Sequence, residues 1–429
     1  MQVTVESTGT LERRMRVELP AERIEQEVAS RLKSVGRTAK LKGFRPGKVP
    51  AKVVKQRYGK QIREEVLSEL MQKSYTDAVM QENLNPAGGP RIETEDTKDD
   101  THFAYVATFE IMPQIELKDL DKIKVEVPDV TIGDTDMDEM ILRLRRQKAT
   151  WEEVDRKSAD GDKVTCDFKG TLKGEEFEGG TGTDVPVILG QGQMLPDFEK
   201  GLTGVKAGDE KTIKVKFPKD YPAEDLAGQK VEFATTVRRV DQEILPPVDD
   251  ELAAMFDVKE GGLEQFMNDV RANMEREAEE KIKSDVREQI MAELLDKNPL
   301  EVPQTLKHQE AHSMQHEAMQ RMGIEDHDQA PPIGNFEDMA EQRVRLSLLV
   351  SQLISDQKLT ADDAKVREHV EKLCASYDNS EDMVNLYLGN PQIVQQIQPV
   401  VLEQQAFDWL LENGTSRTKK VAFTDYMNP

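Results

Sequence analysis

Cysteine is almost absent: the 429 residues hold two, Cys166 and Cys374, more than two hundred positions apart. That excludes a disulfide framework and points to a reducing compartment, so the expected location is cytoplasmic. Aromatic residues are also scarce, at 5% against 33% charged. Such a balance suits a helix-rich chain with much exposed surface rather than a compact enzyme. No apolar run approaches the ~20 residues needed to cross a bilayer, which argues against a membrane partner. The opening MQVTVESTGT alternates as a strand does and lacks the basic-then-apolar layout of a secretion signal. A nucleotide-binding phosphate loop is missing as well, because the glycine-rich GGTGTD is not followed by Gly-Lys-Ser/Thr. The length exceeds what one core supports, and two to four domains are expected.

Acid is in excess, but not everywhere. The net charge is −24, yet residues 1–112 carry 19 Lys+Arg and 17 Asp+Glu, which leaves −26 for the other 317. From Arg31 to Arg63 there are twelve basic residues and not one acid. A basic island on an acidic chain marks contact with a polyanion, a nucleic acid or a ribosome. The plainer reading, a solvated helix face, normally mixes both signs.

The pattern divides the chain into four parts. Residues 1–112 have strand patterns at both ends (VTVES, MRVELP, HFAYVATFEI) with helical patterns between, which predicts an α+β domain. One helix opens at Pro20. Another runs from about Lys60 to Glu82, with Ile62, Val66, Leu67, Leu70, Met71, Tyr75 and Val79 at helical spacing. It stops before the breakers Asn85-Pro86 and Gly88-Gly89-Pro90. Residues 113–149 read as a connecting arm, extended and then helical. Residues 150–245 are glycine-rich with short β-type runs, a small antiparallel sheet with one helix near Pro196–Gly201. Residues 246–429 read as almost wholly helical, with Thr360 ahead of a first turn containing Asp362 and Asp363. They hold ten of the 18 methionines.

Two stretches carry chemistry. The first is Gly43-Phe44-Arg45-Pro46-Gly47-Lys48-Val49-Pro50, at the centre of the acid-free run. Its glycines and prolines define a loop tip. Phe44 at such a tip either folds inward as an anchor or is covered by a partner. Arg45 and Lys48 beside it suit phosphates or acidic side chains. The stretch resembles the ribosome-docking signature of trigger factors, a GFRxGKxP pattern on a helix–loop–helix tip, with Pro46 at the variable position. By that resemblance Gly43, Phe44, Arg45, Pro46, Gly47 and Lys48 form the docking loop. Phe44, Arg45 and Lys48 would contact the large ribosomal subunit beside the peptide exit tunnel.

The second stretch gathers Phe168, Phe177, Phe198, Phe217 and Phe233, with Met194, Leu195 and Tyr221 among them. In so small a domain they can simply be core, above all Phe217. Their order nevertheless resembles the FK506-binding type of prolyl isomerase, and GQMLPDFEKGLTGVKAGD matches that family's strand–helix turn. The resemblance implies a pocket of Phe168, Phe177, Met194, Leu195, Phe198, Tyr221 and Phe233, with Glu178 at its rim. Phe198 stands where the family commonly has tryptophan, Glu178 where it has aspartate, and Phe168 where it has tyrosine. The family's pocket-edge tyrosine often falls at Ala223, which leaves the role of Tyr221 less secure. No nucleophile or cofactor is needed for this chemistry. The X–Pro barrier of ~18–20 kcal/mol arises from amide resonance, so a dry pocket complementary to the twisted amide lowers it. The Tyr221 hydroxyl or the Leu195 N–H would orient the flanking carbonyl.

His308, His312 and His316 recur every four residues on one predicted helix face, with His327 nearby. Two such histidines can share a metal, but no cysteine is near and no metal is assigned. The whole chain therefore resembles trigger factors. The expectation is an ATP-independent chaperone for unfolded nascent polypeptides, active in folding and export. It would have three functional domains, and its oligomeric state away from the ribosome stays open, a homodimer among the options. A free-standing prolyl isomerase and an RNA-binding ribosome assembly factor stay open as alternatives.

Overall fold

The structure is a computed structural model that describes residues 1–38, 50–95, 102–172, 174–219, 221, 223, 226–375 and 379–427. In chain order the elements begin with β1 (Gln2–Ser7), β2 (Glu12–Pro20), α1 (Ala21–Thr38), α2 (Ala51–Gln81), β3 (Arg91–Glu95), β4 (His102–Glu110) and β5 (Lys124–Thr131). Next come α3 (Asp134–Gln147), β6 (Thr150–Glu153), β7 (Lys163–Leu172), β8 (Glu175–Ile188), α4 (Pro196–Leu202), β9 (Glu210–Lys216) and β10 (Lys230–Ile244). Helices follow: α5 (Asp250–Met255), α6 (Gly262–Lys297), α7 (Gln304–Met322), α8 (Glu337–Asp356), α9 (Asp363–Cys374), α10 (Ser380–Leu388) and α11 (Pro391–Asn413). The chain closes with β11 (Thr415–Ala422) and α12 (Phe423–Met427).

Contacts divide these elements into two compact units, each drawn from distant stretches: 1–127 with 284–418, and 128–283 with 419–429. In the first unit, β1 to β4 make an antiparallel sheet in the order β1-β2-β4-β3. Alternation along β2 buries Met15, Val17 and Leu19 on one face, as period-two patterning requires. That face packs against Ile24 and Val28 of α1 and Ile62, Val66 and Leu70 of α2. The helical spacing read from the sequence is the one the core uses. Tyr105 is fully buried here, its hydroxyl 2.8 Å from Ser74 Oγ. The helices of this unit add a second cluster, in which Val366, Val370 and Cys374 of α9 meet Val384 of α10 and Ile397 and Val401 of α11.

In the second unit, β6 to β10 form a five-stranded antiparallel sheet in the order β6-β10-β7-β8, with β9 also on β10. Short helix α4 closes one face, burying Phe198 and Leu202. A separate cluster joins Met137 and Ile141 of α3 to Leu252, Phe266, Val270, Met274 and Phe423. Helix α6 is a single run of 36 residues, about 54 Å long.

Four expectations need correction. Helix α2 starts at Ala51, nine residues before Lys60, with Pro50 as its N-cap. β3 was not expected at all, because RIETE is a mostly exposed edge strand without apolar alternation. The last region is not wholly helical: the polar β11 pairs with β5. Finally, α9 is capped by Asp362, whose side chain accepts from Ala364 N at 2.8 Å, and not by Thr360.

Candidate active site

Phe233, near the start of β10, is the hub of a ring cluster. Phe198 of α4 lies 5.2 Å away centroid to centroid, Phe168 of β7 5.7 Å and Phe177 of β8 6.2 Å, all edge-to-face. Phe168 and Phe198 also meet at 5.4 Å. Edge-to-face rings of this spacing fix one another's orientation as well as burying area. Phe198 and Phe233 are buried, while Phe168, Phe177, Met194 and Leu195 are half-buried against them. Six of the eight predicted residues are thus brought together.

The other two stand differently. Tyr221 is exposed, and its ring contact, among the described residues, is with Phe217 at 4.7 Å rather than with the Phe233 group. Phe217 is buried, as the core reading has it. Glu178 lies on β8, but its side chain falls outside the described residues. The loop Gly43, Phe44, Arg45, Pro46, Gly47 and Lys48 also lies outside the described residues.

Sequence reasoning overlooked the scaffolding behind the rings. A Cβ on Gly170 would sit 2.8 Å from both Phe177 and Phe233, and one on Gly182 would sit 2.8 Å from Phe168. Only glycine lets the rings lie against the backbone there. It overlooked Glu199 too. This carboxylate is 7% exposed and accepts from the N–H groups of Gly190, Gly192 and Met194 at 3.1, 3.4 and 3.0 Å. An acid directly after Phe198, behind a Gly-x-Gly turn, was the available signal. Leu195 is the N-cap of α4, and its carbonyl accepts from Phe198 N at 2.8 Å. No acceptor among the described residues takes the Leu195 N–H.

Chemically the arrangement offers an apolar wall and, in the Leu195 N–H, a backbone donor that no described residue engages. The only thiol in this core, Cys166, is fully buried, and burial pushes it up to about 11, so it supplies no thiolate. On α7, His308 and His312 face each other with Nε2 atoms 3.2 Å apart, whereas His316 turns to Gln320. The three do not converge. The His327 side chain lies outside the described residues.

Helices α1 and α2 enclose a groove lined by Val28, Leu32 and Val54 and by Lys33, Arg37, Lys52 and Lys55. The two ends of the basic island are already paired, Arg31 with Glu69 and Arg63 with Glu25. No described helix is long and apolar enough to cross a membrane.

Comparison with known proteins agrees along the chain. Residues 1–144 match the bacterial trigger factor protein family, residues 262–412 its C-terminal part, and residues 154–240 the FKBP-type peptidyl-prolyl cis-trans isomerases. The trigger factor of Thioalkalivibrio sulfidiphilus is 43% identical over all of this chain and 98% of its own length. That of Colwellia psychrerythraea is 42% identical over all of this chain and 99% of its own. A solved structure reported for promiscuous substrate recognition by the trigger factor chaperone covers 96% of this chain and 99% of its own, with a TM-score of 0.50 at 18% identity. With full-length relatives above 40% identity and an isomerase domain of the FKBP type between its two other matched regions, the chain belongs to the trigger factor family of chaperones.

Proposed function

We propose that this chaperone works at the ribosome: it docks through the 43–48 loop and meets nascent polypeptides beside the exit tunnel, isomerising X–Pro bonds as they emerge. On this reading residues 1–112 dock, 113–149 connect, 150–245 isomerise and 246–429 hold clients without ATP, in the cytoplasm, in support of folding and export. The observation that carries the docking half is the aromatic and basic GFRPGKVP motif inside a run with no acid. The basic side chains of the α1/α2 groove support it, because lysines and arginines there can neutralise phosphates.

The isomerase half is supported by the Phe233 ring cluster and the Leu195 N–H that no described residue engages. The rings hold the proline in a dry site. There the twisted amide, which has lost its resonance and part of its dipole, is favoured over the planar one. The Leu195 N–H holds the carbonyl flanking the proline so that rotation occurs about the C–N bond alone. Phe168, Phe177, Met194, Leu195, Phe198 and Phe233 form the pocket, with Tyr221 and Glu178 at its edge.

Co-sedimentation with ribosomes tests the docking half. The Phe44→Ala/Arg45→Ala/Lys48→Ala variant should stay in the supernatant, and wild-type binding should weaken with rising salt. Co-sedimentation of the folded triple variant at the wild-type level would refute docking through this loop.

A further inference from the structure

A carboxylate with 7% of its residue exposed is costly unless its charge is met. How Glu199 meets that cost is informative. Among the described residues no cationic side chain pairs with it, and its acceptors are spent on backbone N–H groups of a single loop. Oε2 takes Gly190 N at 3.1 Å and Gly192 N at 3.4 Å, and Oε1 takes Met194 N at 3.0 Å. The two glycines turn their N–H groups inward because both have positive φ, +88° and +67°, which side-chain-bearing residues adopt at a cost. The result is an anion nest built by the loop around its own acid.

The same residue grips the chain a second time. Glu199 N donates to Leu195 O at 3.1 Å, alongside Phe198 N at 2.8 Å. The residue before Leu195 is therefore held by the Glu199 side chain, and the carbonyl of Leu195 by the Glu199 backbone. Between those two anchors sits the Leu195 N–H, which no acceptor among the described residues takes. Its direction is set before any substrate arrives.

We propose that Glu199 is a positioning residue of the isomerase, fixing the aim of the Leu195 N–H and the seat of Met194 against the ring cluster. The inference rests on reading that cluster as the proline site. Glu199 touches no substrate. Its contribution is the preorganisation of a donor that must meet the twisted amide with little adjustment.

The experiment compares Glu199→Gln, Gly192→Ala and Phe233→Leu in the full chain, measuring kcat and KM on a proline peptide and amide exchange by NMR. A glutamine offers one acceptor where the carboxylate offers two, and it sets an NH2 against a backbone N–H. Glu199→Gln should lower kcat/KM about tenfold, chiefly through kcat. Exchange should quicken at Gly190, Gly192 and Met194 while the strand amides of β7 and β10 stay protected. Gly192→Ala meets no atom within 4 Å, so it strains only the turn, and it should move the same parameters in the same direction. It also carries the test should Glu199→Gln fail to fold. A folded Glu199→Gln, or a Gly192→Ala in its place, whose kcat/KM stays within twofold of wild type overturns the proposal while Phe233→Leu is impaired. A loss confined to KM overturns it as well. Full activity in Phe233→Leu would instead remove the pocket reading, and the proposal with it.

Discussion

The carboxylate of Glu110, at the end of β4, caps helix α7 by accepting from both Thr305 N and Thr305 Oγ1 at 2.7 Å. Gln304 N adds a third bond at 2.9 Å. The residue in the N-cap position, Pro303, has no side chain able to do this. A strand residue nearly two hundred positions away supplies what the local sequence lacks.

Replacement of Glu110 by glutamine should cost about 1 kcal/mol, as the loss of a helix cap does. Burial acts to raise the Glu110 carboxyl, but the bonds from Thr305 and Gln304 outweigh it and leave it below its ordinary 4.5. A depressed acid stabilises the fold above its unfolded value and loses that contribution as pH falls through the folded one. The gap between wild type and Glu110→Gln in urea melts should therefore be full at pH 7 and should narrow below about pH 4.5. A gap that widens on acidification contradicts the assignment.

Gly88 approaches the same helix so closely that a Cβ would fall 2.4 Å from Thr305 Cγ2. Gly88→Ala should destabilise the chain by about 1–3 kcal/mol, the range for overpacking. Ala at Gly89, where nothing lies within 4 Å, should be close to neutral and serves as the control.

These relationships mark the limit of what could be read from the chain alone. The core face of α2 was legible because Ile62, Val66 and Leu70 repeat at helical spacing. The ring cluster was legible through its aromatics. β11 was not, because TSRTKKVA is exposed and cationic and offers no apolar alternation. The caps from Glu110 and the nest around Glu199 are tertiary contacts, which no local pattern encodes. Tyr221, whose role the sequence left less secure than those of the phenylalanines, sits with Phe217 instead.

In the ring cluster, Gly170→Ala would press a methyl against Phe177 and Phe233, and Gly182→Ala one against Phe168. Either should lower catalysis of a proline-limited refolding step by about tenfold or more, since small displacements of a binding wall are felt strongly. Ribosome co-sedimentation should be unchanged. Full isomerase activity in both variants would count against the cluster as the proline site.

The thermodynamic tie at the C-terminus is testable as well. Asp136 accepts from Thr424 Oγ1 and N at 2.6 and 3.0 Å and from Gly133 N at 2.8 Å. The Thr424 hydroxyl is the main reason that its carboxyl sits below the ordinary range. Asp136→Ala should raise amide exchange across residues 423–427 and cost about 1–2 kcal/mol. No change at Thr424 would mean that α12 is held by its apolar contacts alone.

Thr150 and Ile244 are register partners in the β6/β10 pair, so the isomerase segment leaves and re-enters the chain at neighbouring points. A chain with 150–244 replaced by a short Gly-Ser link should still suppress aggregation of a denatured client, without nucleotide, while losing isomerase activity. Light scattering decides the matter: protection no better than buffer would show that client holding depends on the excised segment.

The five-stranded sheet and the first compact unit also differ in when they can form. Residues 150–244 are contiguous, with ends that pair, and have all their partners once the sheet is synthesised. The unit of residues 1–127 and 284–418 does not. Lys118 N waits for Asn298, and Glu110 for Thr305. At 5–20 residues per second, the first stretch stands incomplete for roughly 15–60 s before its complement is made. During each round of its own synthesis, the chaperone is itself a partly folded nascent chain with an unfinished interface.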